Sequence, residues 1–206
     1  MDIHTSASVL TTVLFLGYTG LWKWKQVQLK NTENIEANAI SIAKTPLQVY
    51  FNHLQKGMKI LCVLLIFLHA LPHTEIPGLA PNPLLNHDQY KLAGFILGLL
   101  GLSLCRRAQV SMGKSWRVGI DDKAQPGLIT HGIYRFVRNP TYSGLFLLCA
   151  GVLLINPTAL FSHWVLAFVL MMEFQVRSEE EYLLKKYGEE YTQYWKRTKR
   201  YVPFLY

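Results

Sequence analysis

Apolar residues in this chain gather in five blocks instead of scattering as they would around a soluble core. The blocks cover residues 6–22, 58–71, 92–105, 142–155 and 158–174, and each is almost free of charge. A helix needs roughly 20 residues to cross the hydrocarbon core, with about 17 the usual lower limit, so only the first and last blocks approach a span unaided. Residues 49–57 extend the second block as helix and residues 88–91 extend the third, with Lys59 and Lys91 snorkelling toward headgroups. The pattern predicts an all-α membrane bundle of five spans, with Asn156-Pro157 as the turn between the last two. Residues 26–55 read as an interfacial helix broken at Pro46, and residues 72–87, rich in proline and asparagine, as an outer loop.

Basic residues support spans over buried core helices, because they are sorted by alternate loops. Residues 23–59 hold six Lys and Arg, residues 106–138 hold seven and the tail after Phe174 holds seven, leaving Lys91 as the exception among 21. The first ten residues, residues 72–89 and the Asn156-Pro157 turn hold none. Five crossings with an outer N-terminus and a cytoplasmic C-terminus satisfy the positive-inside rule, and a re-entrant hairpin over the last two blocks would leave the same loop sides. The +8 net charge is then explained by basic loops facing an anionic leaflet, and no nucleic-acid partner is needed. Cys62, Cys105 and Cys149 lie inside apolar blocks without the paired spacing of disulfides or metal sites. The first block lacks a basic n-region and a cleavage site, which predicts a retained helix, and no prenylation signal is expected in the tail. The chain divides into residues 1–105, three spans with an interfacial loop, and residues 106–206, where the candidate chemistry lies.

Two segments of that second part stand out. Asn139 suits an N-cap and Pro140 the first helical position, so free N–H groups, the helix dipole and Arg138 would converge at the start of the fourth span. The plain reading is a capped helix with an anchored arginine, and the functional one is an anion site. Residues 176–195 form a helical stripe of Val176, Leu183, Leu184, Tyr187, Tyr191 and Tyr194, with Glu179 and Glu180 close to it. A carboxylate on a packed face needs a partner, which Arg177 or a bound cation would supply. Glu181 and Lys185 read as an ordinary exposed pair. Gly94, Gly98 and Gly101 allow close helix packing.

Tyr134, Arg138, Pro140, Tyr142 and Gly144 stand in the order of a G-x-Y-x-x-x-R-H-P-x-Y-x-G signature, and Glu179-Glu180, Leu183, Tyr187-Gly188, Tyr191 and Tyr194 in that of E-E-x-x-L-x-x-x-F-G-x-x-Y-x-x-Y. With the closing Arg200-Tyr201-Val202-Pro203, this resembles the isoprenylcysteine carboxyl methyltransferase family and the related phospholipid methyltransferases. The resemblance covers about residues 113–203, and residues 113–121 are similar to the inner loop of bacterial members. Asn139 replaces the signature histidine, so an amide would make a contact that an imidazole makes elsewhere. Arg177 stands two residues before the carboxylate pair, where eukaryotic members carry an arginine about four before.

The resemblance implies an S-adenosylmethionine-dependent methyltransferase of lipophilic or prenylated acceptors in a membrane, with a cytoplasmic pocket formed by the loop before Pro140 and a C-terminal amphipathic helix. His131, Tyr134, Asn139, Pro140, Tyr142, Glu180, Tyr187 and Tyr191 become candidates for cofactor binding. His131 also reads as a hydrogen-bonded structural residue. Arg138, Arg177 and Arg200 become candidates for binding an acceptor carboxylate, and Glu179 or Glu180 for deprotonating an acceptor amine; no metal is implied. Trp116 and Arg117 are expected at the interface, with closure over the cofactor as the alternative. Phospholipid amine methylation is the other enzymatic reading, and a non-catalytic membrane scaffold or carrier the reading from another class.

Overall fold

The computed structural model describes residues 3–37, 46–71, 76–118 and 127–205. Among them are six α-helices: α1 (Ile3–Glu33), α2 (Pro46–Ala70), α3 (Asp88–Met112), α4 (Pro140–Ile155), α5 (Ala159–Tyr187) and α6 (Glu189–Arg197). Short 3₁₀ turns occupy Gly113–Ser115 and Gly132–Arg135. Two isolated bridges, Pro81 with Thr158 and Val137 with Lys199, are the β-pairing among the described residues.

The apolar blocks fall inside α1 to α5, and α2 and α3 take up the flanks assigned to them. Gln48–Ala70, Asp88–Ser115 and Ala159–Tyr187 are long and apolar enough to cross a membrane. This is the architecture of a multi-pass membrane protein. Pro46 opens α2 at the position where a missing N–H costs nothing. α1 continues as helix through Glu33 and α2 begins at Pro46, so the broken interfacial helix expected over residues 26–55 is formed by the ends of two long helices. The connection over residues 38–45 lies outside the described residues, as do most of the bacterial-type inner loop after Val118 and the outer-loop residues 72–75.

α5 runs unbroken from Ala159 to Tyr187, so the stripe read as one tail helix over residues 176–195 belongs to two helices. Gly188 separates them. Its φ of 52° suits a residue without a Cβ, and its N–H closes α5 on the Leu184 carbonyl. The chain then continues as α6, which packs against α5. Thr158 caps α5, accepting from the Phe161 N–H at 3.3 Å, directly after the predicted Asn156-Pro157 turn.

Helices α3 and α4 meet backbone to backbone. A Cβ on Gly94 would lie 2.6 Å from the Gly151 carbonyl oxygen, and one on Gly101 would lie 2.5 Å from that of Gly144. Small residues at a helix crossing maximise dispersion contact where lipid tails offer no hydrophobic drive for association. Gly98 faces α1 instead, where Leu14 fills the space its side chain would need. Hydrogen bonds tie further helices together: Asn156 Nδ2 donates to Thr11 Oγ1 at 2.6 Å in the interior, and Trp164 Nε1 to the Met58 carbonyl at 3.0 Å in a half-buried contact. The three cysteines are buried and free.

Candidate active site

The 3₁₀ turn Gly132–Arg135, the start of α4 and the segment after α6 are joined by backbone pairing. The Arg138 N–H donates to the Lys199 carbonyl at 2.8 Å and the Asn139 N–H to that of Arg200 at 3.1 Å. The Tyr194 hydroxyl donates to the Tyr134 carbonyl at 2.7 Å, and the Ser143 hydroxyl to the Tyr201 carbonyl at 2.7 Å. Each bond joins residues 58 to 61 apart in the chain, so the two motif segments are one structural unit. Burial raises the phenols of Tyr134, Tyr191 and Tyr194 well above the ordinary tyrosine range, which keeps them protonated hydrogen-bond donors.

Glu180 is the electrostatic centre of this unit. Its Oε1 accepts from Arg138 Nε at 3.0 Å and from Asn139 Nδ2 at 2.9 Å, while its Oε2 accepts from Arg200 Nε at 3.0 Å and Nη2 at 2.8 Å. Arg138 also donates to the Thr198 carbonyl at 2.5 Å and lies over the Trp195 ring. Asn139 occupies the N-cap position with Pro140 following, yet its side chain caps nothing; the expected cap gives way to the charge-assisted bond to Glu180. The amide thus supplies a donor at the position of the signature histidine.

Arg177 does not reach Glu180 as the helical spacing suggested. It donates to Glu173 at 2.9 Å, four residues back, and its side chain is 59% exposed. Glu173 is shared, accepting also from Arg200 and from the Tyr201 hydroxyl.

Beside this knot lies a cavity of about 310 Å³, within the order of ~300–1,000 Å³ usual for small-molecule sites. The motif segments contribute Tyr134, Arg138, Asn139, Tyr142, Glu179 and Leu183 to its wall. Gln175 Nε2 donates to Glu179 Oε1 at 2.9 Å, and Tyr142 approaches the same carboxylate. The other candidates stand outside the wall. Glu180 and Arg200 are in the knot behind it, Pro140 is buried at the first position of α4, and Tyr191 packs beside Tyr194. His131 is exposed ahead of the 3₁₀ turn, and Tyr187 is half-buried with the Lys186 ammonium over its ring.

Much of the rest of the wall comes from α1 and α2, to which the sequence assigned no chemistry. Tyr18, Trp22 and Gln26 follow one another at four-residue steps on α1, and Asn52, Gln55, Lys56 and Lys59 form an i, i+3, i+4, i+7 stripe on α2. That stripe was visible as a period but equally fits an interfacial helix. Trp116, expected at the interface, is 2% exposed, sits edge-on to Trp22 and lines the cavity. An apolar slot of about 50 Å³ adjoins the cavity and shares Tyr18, Lys59, Leu145 and Phe168 with it. It runs between the helices toward Thr11 and Val152.

With this geometry in view, comparisons with known proteins agree on one relationship. The phospholipid methyltransferase family model matches residues 90–190. A probable protein-S-isoprenylcysteine O-methyltransferase of Oryza sativa subsp. indica is 31% identical over 120 residues, which cover 54% of this chain and 60% of that protein. The protein-S-isoprenylcysteine O-methyltransferase of Schizosaccharomyces pombe is 32% identical over 145 residues, covering 68% of this chain and 59% of that one. The chain thus spans about 60% of the length of these two relatives. In fold it is similar to the eukaryotic intramembrane Ras methyltransferase, isoprenylcysteine carboxyl methyltransferase, with a TM-score of 0.56 at 20% identity, covering 95% of this chain and 68% of that one.

Proposed function

We propose that this chain, which is similar in sequence and in fold to isoprenylcysteine carboxyl methyltransferases, is a membrane methyltransferase that uses S-adenosylmethionine to methylate a lipophilic acceptor, above all a carboxylate. The observation that carries this reading is a cavity walled by both motif segments with an apolar slot adjoining it. A polar, charged nucleoside and an apolar chain need adjoining compartments of these two kinds.

The donor set fits the cofactor. Its ammonium and ribose hydroxyls match the Glu179 carboxylate and the Gln26, Asn52 and Gln175 amides; its carboxylate matches Arg117 and the first turn of α4 at Thr141 and Tyr142; its adenine matches the faces of Trp22 and Trp116. S-adenosylmethionine supplies a methyl group on an electron-poor sulfonium. The chain's residues hold the acceptor in line with that group and keep water from it, which is most of what such a displacement asks of a protein. A carboxylate acceptor has no proton to lose, so no general base is required.

The same reading takes α1 to α5 as five crossings with the cavity on the cytoplasmic side, supported by the sorting of basic residues. α4 is 16 residues, or about 24 Å of helix against a core of about 30 Å. It is shielded from lipid by its close packing on α3. Phospholipid amine methylation remains the second reading because the matching family model bears that name and because Glu179 stands in the cavity wall, where it would remove an amine proton.

Purified chain in detergent is expected to bind S-adenosylhomocysteine at micromolar levels, and absence of binding would leave a scaffold or carrier as the better description. With methyl-labelled donor and candidate lipids, label released by mild base marks an ester. Label that survives base marks an N-methyl product and shifts the function to the second reading.

A further inference from the structure

The cation that meets the acceptor's anionic head should be one that is not already neutralised. Arg138 and Arg200 are bound to Glu180, and Arg177 and Arg200 to Glu173. Lys59 differs from these three. It stands near the middle of α2, 13 residues after Pro46 and 11 before Ala70, and has no carboxylate partner among the described residues. Its ammonium lies 5.9 Å from the centroid of the Tyr18 ring. Both residues border the polar cavity and the apolar slot at once. Lys56, one turn nearer the helix start, borders only the polar cavity.

An ionisable side chain within an apolar helix is costly unless something compensates it, and the Tyr18 ring gives part of that compensation through its π face. Among the described residues the ammonium has no further partner, and it stands at the point where an apolar chain lying in the slot would end and its head would enter the polar cavity. We propose that Lys59 binds the anionic head of the acceptor, a carboxylate attached to an apolar chain, and so sets both the charge preference of the site and the position of the head. This assignment rests on the methyltransferase reading for its consequence, but not for the binding itself.

The test uses the full chain in neutral detergent with N-acetyl-S-farnesylcysteine as the acid probe and its carboxamide as the neutral control. Wild type is expected to bind the acid at least tenfold more tightly than the amide. Lys59→Met should bind the two alike, and Lys59→Arg should restore most of the preference. S-adenosylhomocysteine affinity should stay within threefold of wild type in both variants, which also shows that they are folded. An acid preference that survives in Lys59→Met, a wild type without preference, or no binding of the acid would each overturn the assignment. Failure of the wild type to bind S-adenosylhomocysteine would instead remove the methyltransferase reading, while the acid and amide titrations still decide Lys59.

Discussion

Glu179 and Glu180 are neighbours in sequence with opposite surroundings. Successive helical residues point about 100° apart. That rotation sends Glu180 into a knot with Arg138, Asn139 and Arg200, while Glu179 faces the cavity with Gln175 and Tyr142 beside it. In the knot every formal charge is used to hold the segment after α6 against the start of α4. In the wall, hydrogen-bonding capacity is left for something else. Charge density and open cavity therefore part company, and the densest ion-pair cluster among the described residues forms a frame beside the cavity.

Glu180→Gln should separate these roles most strongly. It leaves two largely buried guanidinium groups facing a neutral amide, and breaking such a pair costs about 3–5 kcal/mol. Thermal unfolding in detergent should show a large loss of stability, with cofactor-analogue binding lost alongside it; a variant as stable as wild type would contradict the knot. Asn139→Ala removes one charge-assisted bond and should cost about 1.5–3 kcal/mol. Asn139→His should recover much of that in the same assay, because an imidazole N–H can also donate to Glu180.

Glu179→Gln should do the reverse. The isosteric amide can still accept from Gln175, so stability should change little, while S-adenosylhomocysteine affinity falls about tenfold, or about 1.4 kcal/mol. A variant that loses stability but binds normally would return Glu179 to the frame.

Much of this frame was readable from residue order. The Asn156-Pro157 turn, the helix start at Pro140 and the glycine face of α3 depend on local chemistry, and the structure has each where the sequence put it. The meeting of the two motif segments followed from the family resemblance. The choice of ion-pair partners did not. Arg177 lies three residues from Glu180, yet the bend at Gly188 returns Arg200 to Glu180 from beyond α6 and leaves Arg177 to Glu173. Nor was the role of α1 and α2 readable. The stripe Asn52, Gln55, Lys56 and Lys59 has the period of any helix with one wet face, and only its position opposite Glu179 and Tyr142 makes that face a cavity wall.

Arg177 gives the smallest expected effect and the sharpest control. Its pairing with Glu173 is spaced four residues apart on an outward face, and such exposed pairs are worth about 0.3–0.5 kcal/mol. Glu173 keeps Arg200 and the Tyr201 hydroxyl when Arg177 is removed, so no buried carboxylate is orphaned. Arg177→Ala should therefore leave thermal stability and S-adenosylhomocysteine affinity near wild type. A tenfold loss of affinity at unchanged stability would mean that Arg177 swings into the cavity when a ligand binds, and the division between frame and wall would then shift on binding.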